Sequence, residues 1–487
     1  MRLSYEAGTI VIRDPLSVPE YVSFDSRTGS YRTEGYFYSR LKSDFPDASD
    51  DVFKEMNVVM KHRENLRSYQ KRAVDLWSSN SYSGAVVLPT AAGKTHIGIE
   101  AMSRLSTSTI VIAPTIELVQ QWRERLQNVF NMEVGQIGGG EKDVRDVSVS
   151  TYDSAYLMAE KLGNRFKFLL VDEVHHLAAE RYIEIARMYA SPYRMGLTAT
   201  YERTDMLHEN LQQFTGGKVF ELGYEELTEY LADYEIIRIQ VELEQEEEEE
   251  YDRNRKVFLT YLRRHRMRMR GPWDFERFIL SSWNPEGREA LLAWRRARSI
   301  AFNSRVKVDA VRYVLSKHRS EKTIIFSEDT STSYLISKEF MMPCITYLTP
   351  GPERKQYLDM FRRGDVTAIA TSRVLDEGVD VPATREAFIL ASSTNPIQFI
   401  QRRGRILRLS PGKEGAIIHD FIVVPTINPA AASFSPAEFN LERKLLRKEL
   451  QRFNEFARCA DNYFEAISEI QKLAKAYNSL DGLGELA

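Results

Sequence analysis

The strongest constraint on the fold is one short run, Pro89-Thr90-Ala91-Ala92-Gly93-Lys94-Thr95, set between segments of different periodicity. Ala85-Val86-Val87-Leu88 precedes it and reads as a buried strand, while Thr95 to Leu105 comes next with helical spacing. A strand, a loop of small residues and a helix opening with Gly-Lys-Thr make a phosphate cradle. Backbone N–H groups and the helix N-terminus face the anion. In such a loop Lys94 holds the β- and γ-phosphates and the Thr95 hydroxyl ligates Mg²⁺. The full pattern asks for glycine five residues before Gly93, where this chain has Leu88. Taken alone, the run is therefore also compatible with an ordinary strand-to-helix turn.

Downstream of this run, strands and helices continue to alternate. Thr109 to Ala113, Val147 to Thr151, Phe168 to Val171 and Met195 to Leu197 read as strands, and Glu117 to Phe130 as a helix. Such alternation argues for a parallel sheet covered by helices. A second series begins at Lys322, with candidate strands at 323–326, 344–347, 367–370, 387–390 and 416–419. Ser333 to Phe340 and Glu353 to Arg362 are helical patterns between them. The chain is thus expected to be α/β, with two tandem parallel-sheet domains. Its 487 residues suit roughly three domains, and the boundaries expected are 1–60, 61–230, 231–305, 306–430 and 431–487.

Residues 1–60 read as a small α+β unit, with strands at Thr9 to Ile12 and Tyr21 to Phe24 and a turn at Asp25 to Gly29. Tyr31, Tyr36, Phe37 and Tyr38 beside Arg32 and Arg40 suit the core of a small sheet, with base stacking as the alternative. Between the two sheet domains, an acidic run at Glu244 and Glu246 to Glu250 meets a basic one. The basic run holds Arg253, Arg255, Lys256, Arg263, Arg264, Arg266, Arg268 and Arg270, interleaved with Phe258, Tyr261 and Leu262, and reads as a helical insertion. Beyond Pro436 a C-terminal helix is expected. Leu446, Leu450, Phe453, Ala457, Ala460, Phe464 and Ile467 give it a coiled-coil-like seam, directed at the chain's own body or at a partner.

Composition sets outer limits. A net charge of −3 excludes a uniformly basic protein but leaves room for local basic patches. Cys344 and Cys459 lie far apart, which speaks against a disulfide framework or zinc site and fits a reducing compartment. No stretch approaches the roughly 18 apolar residues of a membrane span, and Met1 to Glu6 carries no apolar signal core. A cytoplasmic protein with no membrane association is expected.

The chemistry concentrates in Leu169-Leu170-Val171-Asp172-Glu173-Val174-His175-His176, where two carboxylates end an apolar strand. Asp172 is positioned to hold Mg²⁺, and Glu173 to orient or deprotonate the water that attacks the γ-phosphate. His175 and His176 lack partners at metal-ligand spacing, so a hydrogen-bonding or coupling role is expected of them. Late in the second series, Gln401-Arg402-Arg403-Gly404-Arg405-Ile406-Leu407-Arg408 supplies arginines able to neutralise phosphate charge.

The ordered set LPTAAGKT, APTIELVQQW, STYDS, DEVHH, GLTATYER, TIIFSED, ATSRVLDEGVDVPA and QRRGRILR resembles the motifs of superfamily-two helicases, over residues 66 to 420. FNSRVKVDA, EGVDVPA and IQFIQRRGRILRLSPGKEGA resemble those of the XPB repair and transcription helicases in their compact archaeal form. The resemblance implies two RecA-like motor domains, a damage-recognition-like N-terminal domain and a thumb-like DNA grip in the insertion, here Arg263, Arg264, Arg266 and Arg268. It implies ATP and Mg²⁺ as cofactors. Gln70 would contact adenine, and Thr90, Ala91, Ala92, Gly93, Lys94 and Thr95 would hold phosphate. Thr95 and Asp172 would bind Mg²⁺, with Glu173 activating the water. Gly378 and Asp380 would line the nucleotide site, and Gln401, Arg405 and Arg408 would complete it. Thr198, Thr200, Arg203 and Asp205 would couple hydrolysis to DNA.

The activity implied is 3′-to-5′ movement on double-stranded and forked DNA in excision repair or promoter opening, by a monomeric, nucleoid-associated archaeal motor. A nuclease partner is a further expectation of the resemblance. Two positions depart from it. Ala91 stands where many relatives have glycine, and Arg203-Thr204-Asp205 stands where the family has Arg-Glu-Asp. The second departure leaves open a translocase that pumps duplex without separating strands. A non-catalytic clamp is the reading from another class, and Lys94, Asp172, Glu173, Arg405 and Arg408 argue against it.

Overall fold

The computed structural model describes residues 1–15, 17–53, 58–62, 65–89, 92–202, 206–223, 226–227, 233–267, 272–318, 320–372, 384–390, 415–424, 449–450, 452–454, 456–458 and 460–476. The chain divides into two compact units, with the break at Glu229–Tyr230.

The first unit opens with a five-stranded sheet made of β1 (Arg2–Glu6), β2 (Thr9–Arg13), β3 (Ser23–Asp25), β4 (Ser30–Glu34) and β5 (Ser49–Asp51), ordered β3-β4-β2-β1-β5. Ala7 and Gly8, both at positive φ, join β1 to β2 in the two-residue turn whose twist suits a hairpin. Helix α1 (Tyr38–Asp44) covers a core of Leu3, Ile10, Ile12, Val22 and Leu41. The strand expected at Tyr21 to Phe24 is β3, displaced so that Val22 turns into this core. The aromatic cluster is half-buried: Tyr31 and Tyr38 pack against the core, Tyr21 stacks on Phe37, and Tyr36 meets Phe214 edge-on.

The first motor sheet comes next, built from β6 (Ser83–Val87), β7 (Thr109–Ala113), β8 (Gly135–Gly138), β9 (Glu141–Lys142), β10 (Val147–Thr151), β11 (Phe168–Asp172), β12 (Tyr193–Thr198) and β13 (Lys218–Glu221). Its order is β13-β6-β12-β11-β7-β10-β8-β9, parallel except at β8–β9. β7 and β11 are buried along their whole length, which is why they read as unbroken apolar runs. α2 (Ser68–Ser79), α3 (Lys94–Leu105) and α4 (Ile116–Phe130) pack against this sheet.

The second unit holds a six-stranded parallel sheet. Its strands are β14 (Tyr234–Glu242), β15 (Thr323–Ser327), β16 (Cys344–Ile345), β17 (Ala368–Ser372), β18 (Glu386–Ile389) and β19 (Ala416–Val424), ordered β14-β19-β18-β15-β17-β16. The sequence leads one to expect only linker and insertion over 231–305. Instead β14 pairs with β19 from Tyr234↔Ala416 to Glu242↔Val424 and forms an edge of this sheet. The insertion proper is helical: α5 (Gln245–Arg264), α6 (Pro272–Ser281) and α7 (Pro285–Asn303) enclose Phe258, Tyr261, Leu262, Phe278 and Leu291. α8 (Arg305–Lys317) then lays Val308, Val311 and Val314 on the sheet.

The C-terminal segment packs on its own unit. Arg452 forms a buried ion pair with Asp420 of β19 and also binds Glu449, while Asn462 Nδ2 donates to Ile236 O at 2.9 Å. Leu450, Phe453, Ala457 and Ala460 are buried, but Phe464 is 85% exposed and leaves the expected seam. Leu446 lies outside the described residues. Among the described residues no helix is long and apolar enough to cross a membrane.

Candidate functional site

The phosphate loop is held from behind by α2. Tyr69 Oη and Gln70 Nε2 donate to the Ala92 carbonyl at 2.8 and 3.0 Å, while Gln70 Oε1 accepts the Arg67 N–H at 2.9 Å. Gln70 is therefore a buried brace of the loop. Gly93 caps α3 at φ 78°, and a Cβ there would stand 2.4 Å from Gln70 Nε2. The positive φ favours glycine, and a side chain there would also push Gln70 off the loop. Lys94 opens α3, and its Nζ donates to Leu88 O at 3.2 Å. Thr95 is half-buried in the first turn. Thr90 and Ala91 lie outside the described residues.

Asp172 and Glu173 come to this loop because β11 lies next but one to β6 in the sheet. Lys94 Nζ is 3.9 Å from Glu173 Oε1. Asp172 Oδ2 accepts the Trp122 indole N–H at 2.8 Å, and Oδ1 accepts the Glu173 N–H at 3.0 Å. Glu173 sits at φ 50°, a left-handed conformation unusual for a residue with a side chain. Tyr152 pins that turn, its hydroxyl lying 2.9 Å from Asp172 O and 3.0 Å from Glu173 O. Burial, and then the charge of Glu173, push Asp172 up to about 6. Burial works in the same direction on Glu173, but Lys94, His175 and His176 outweigh it and hold Glu173 below its ordinary range. A buried and a half-buried carboxylate beside one lysine, the first raised by burial and by its neighbour's charge, are a donor set that fits a divalent cation.

From Glu173 the contacts continue to β12. His175 Nδ1 and Thr198 Oγ1 are 2.9 Å apart. Thr198 Oγ1 lies 3.3 Å from Glu173 Oε2 and accepts the Thr200 N–H at 3.1 Å. Thr200 Oγ1 is buried and without a hydrogen-bond partner among the described residues. A change at Glu173 can thus reach the Thr198–Thr200 turn through contacts already made. His175 takes the hydrogen-bonding place expected of it.

In the second unit, Arg263, Arg264 and Arg266 are exposed near the end of α5, with Arg264 paired to Glu286 of α7. Arg255 of the same basic run is buried, so only part of the run faces solvent. Arg203, Asp205, Arg268, Gly378, Asp380, Gln401, Arg405 and Arg408 lie outside the described residues. Trp122 and Tyr152 have no role that the sequence assigns. Both sit inside quoted motifs, APTIELVQQW and STYDS, but only the fold shows which atoms they hold.

Three family descriptions match the chain. Residues 3–49 match the Xeroderma pigmentosum group B helicase damage recognition domain. Residues 63–203 match the type III restriction enzyme res subunit, and residues 306–410 the helicase conserved C-terminal domain. The DNA 3'-5' translocase XPB2 of Sulfurisphaera tokodaii is 42% identical over 398 residues, covering 80% of this chain and 90% of that one. The DNA 3'-5' helicase XPB of Mycobacterium tuberculosis is 26% identical, covering 81% and 68% respectively. Among solved structures, the ATP-dependent type ISP restriction-modification enzyme LlaBIII bound to DNA aligns with a TM-score of 0.53 at 15% identity, over 87% of this chain and 33% of that one. The last is a likeness of fold.

Proposed function

This chain belongs to the XPB group of superfamily-two DNA helicases, and from that premise we propose that it uses ATP hydrolysis to move 3′ to 5′ along duplex DNA in repair or transcription-associated opening. The observation that carries the reading is the contact chain Lys94–Glu173–His175–Thr198, with Asp172 buried beside it.

Lys94 and the loop Thr90 to Thr95 hold the phosphates. Gln70 braces that loop through one amide N–H and has a second for the adenine edge. Asp172 and Thr95 would hold Mg²⁺, which when bound neutralises charge on the phosphate oxygens. Trp122 and Tyr152 keep Asp172 and Glu173 aimed, and Glu173, ionised through its cationic neighbours, takes a proton from the attacking water. Gly378, Asp380, Gln401, Arg405 and Arg408 are assigned to the nucleotide as well, the arginines neutralising the charge that develops in the transition state. Thr198, Thr200, Arg203 and Asp205 relay the result to DNA, and Arg263, Arg264, Arg266 and Arg268 grip its backbone. A nuclease that acts on the DNA this motor exposes is the partner expected.

The test is ATP hydrolysis with no DNA and with single-stranded, double-stranded and forked DNA, beside strand displacement on the fork. Stimulation by duplex is expected. A rate indifferent to DNA would defeat the reading. Thr204 in the Arg-Thr-Asp element favours a second reading, translocation without strand separation. Duplex-stimulated hydrolysis with no displaced strand would select it.

A further inference from the structure

Three ligand-type side chains in the second unit have no part in the motor roles above. Glu386 opens β18, His419 stands in β19, and His318 caps the C-terminal end of α8. The register pairs Glu386 with Ile417 and Phe388 with His419, so Glu386 and His419 share one face of the sheet. α8 packs on that face, and its end sets His318 Nδ1 2.5 Å from Glu386 Oε1. His419 Nε2 lies 3.9 Å from Glu386 Oε2. One ligand atom from each residue falls within 4.8 Å of the others.

Glu386 is 1% and His419 2% exposed. Yet Glu386 Oε2 and both ring nitrogens of His419 have no hydrogen-bond partner among the described residues. Native proteins seldom leave such buried groups unmatched, and a bound ion is one recognised reason. We propose that His318, Glu386 and His419 bind a divalent transition ion of the zinc class, with water as fourth ligand. Two imidazoles and a carboxylate suit that ion. Tetrahedral bonds of about 2.0–2.1 Å put donor atoms about 3.4 Å apart, so His419 has to move slightly toward Glu386, while His318 and Glu386 move slightly apart. The proton between His318 Nδ1 and Glu386 Oε1 leaves to solvent as the ion takes its place. Of the three, His318 also lines an open cavity of about 500 Å³ with Arg312, Glu321 and Asp365.

In the sequence, 373–383 follow β17 and 391–414 follow β18 closely. Glu386 stands at the opposite, amino end of β18. The ion therefore acts as a clip between α8, the helix directly after the insertion, and the sheet.

Full-length protein stripped with chelator, then returned to Zn²⁺ in the presence of Mg²⁺, should retain one equivalent of zinc after gel filtration. Co²⁺ in its place should give the visible absorption of a four-coordinate site, and the unfolding temperature should rise on adding Zn²⁺. His318→Gln keeps a donor for Glu386 but removes a ligand. It should unfold like the parent in chelator, bind Zn²⁺ at least about 10-fold more weakly and lose most of the thermal shift. A parent that retains no zinc overturns the proposal, as does a His318→Gln variant that binds as tightly as the parent.

Discussion

Glu173 is held for its task by backbone geometry as much as by charge. Its left-handed conformation, φ 50°, costs of order 1–3 kcal/mol, and the Tyr152 hydroxyl keeps it there. Glu173→Gln keeps the shape and the Thr198 contact but removes the base. ATP should still bind, while turnover falls by about 10²–10⁴. Near-normal turnover would take Glu173 out of its role. The neighbouring carboxylate makes a pH prediction. Asp172, raised to about 6 by burial and then by Glu173, must be ionised to hold a cation, so kcat/KM should fall as pH drops through that region. The Trp122 indole N–H favours the ionised form. Trp122→Phe should therefore move the acid limb to higher pH, and a limb that stays put would mean that Asp172 does not govern it. Gly93, Lys94, Asp172 and Glu173 were legible because the chemistry fixes both their types and their spacing. Trp122 and Tyr152 were not, because they reach Asp172 from 50 and 20 residues away and a pattern does not say where an indole or phenol points.

At the scale of elements, legibility followed burial. β7 and β11, covered on both faces, announced themselves as apolar runs. β8, Gly135–Gly138, has half its residues as glycine and little strand character. β14, Tyr234–Glu242, alternates buried and exposed positions at a sheet edge and leads straight into the acidic run. Its own pattern is that of a half-buried strand, and only the acidic run directly after it sets it with the linker, although the chain returns there to complete the second sheet. In α5 the split between Phe258, Tyr261 and Leu262 inside and Arg263 and Arg264 outside is the expected helical one. It gives the basic end a rigid base. Replacing Arg263, Arg264, Arg266 and Arg268 by Ala should weaken DNA binding and its stimulation of hydrolysis. It should also flatten the dependence of log K on log salt by about 0.9 for each phosphate no longer neutralised. An unchanged slope together with a lower unfolding temperature would show arginines paired within the protein, as Arg264 is with Glu286.

At the scale of the molecule, the N-terminal sheet and the first motor sheet belong to one unit, and Gly163 stands where they join. The Tyr5 hydroxyl crosses from β1 to the carbonyls of Ala159 and Met188, at 3.1 and 3.0 Å. Burial pushes that phenol well above its usual range, so it stays a donor. Asn164 Nδ2 donates to Val52 O at 2.8 Å, and Ala190 completes the N-terminal core. The approach is close enough that a Cβ on Gly163 would lie 2.0 Å from Tyr5 Oη and 2.6 Å from the Met188 carbonyl. Tyr5 could swing away, but the Met188 carbonyl belongs to the backbone and cannot. Gly163→Val should therefore part the two sheets locally, at a cost of about 1–3 kcal/mol for the buried groups left unmatched. Amides of β1 to β5 should then exchange faster with solvent while those of β7 and β11 keep their protection. Tyr5→Phe removes the same hydrogen bonds without bulk and should move exchange in the same direction by less. Equal loss of protection in both sheets would show that the N-terminal domain is part of the motor's own folding core. Unchanged exchange in both variants would show that the domains are held by other contacts. Selective loss would leave a motor whose hydrolysis still responds to DNA but whose damage-recognition-like domain no longer moves with it.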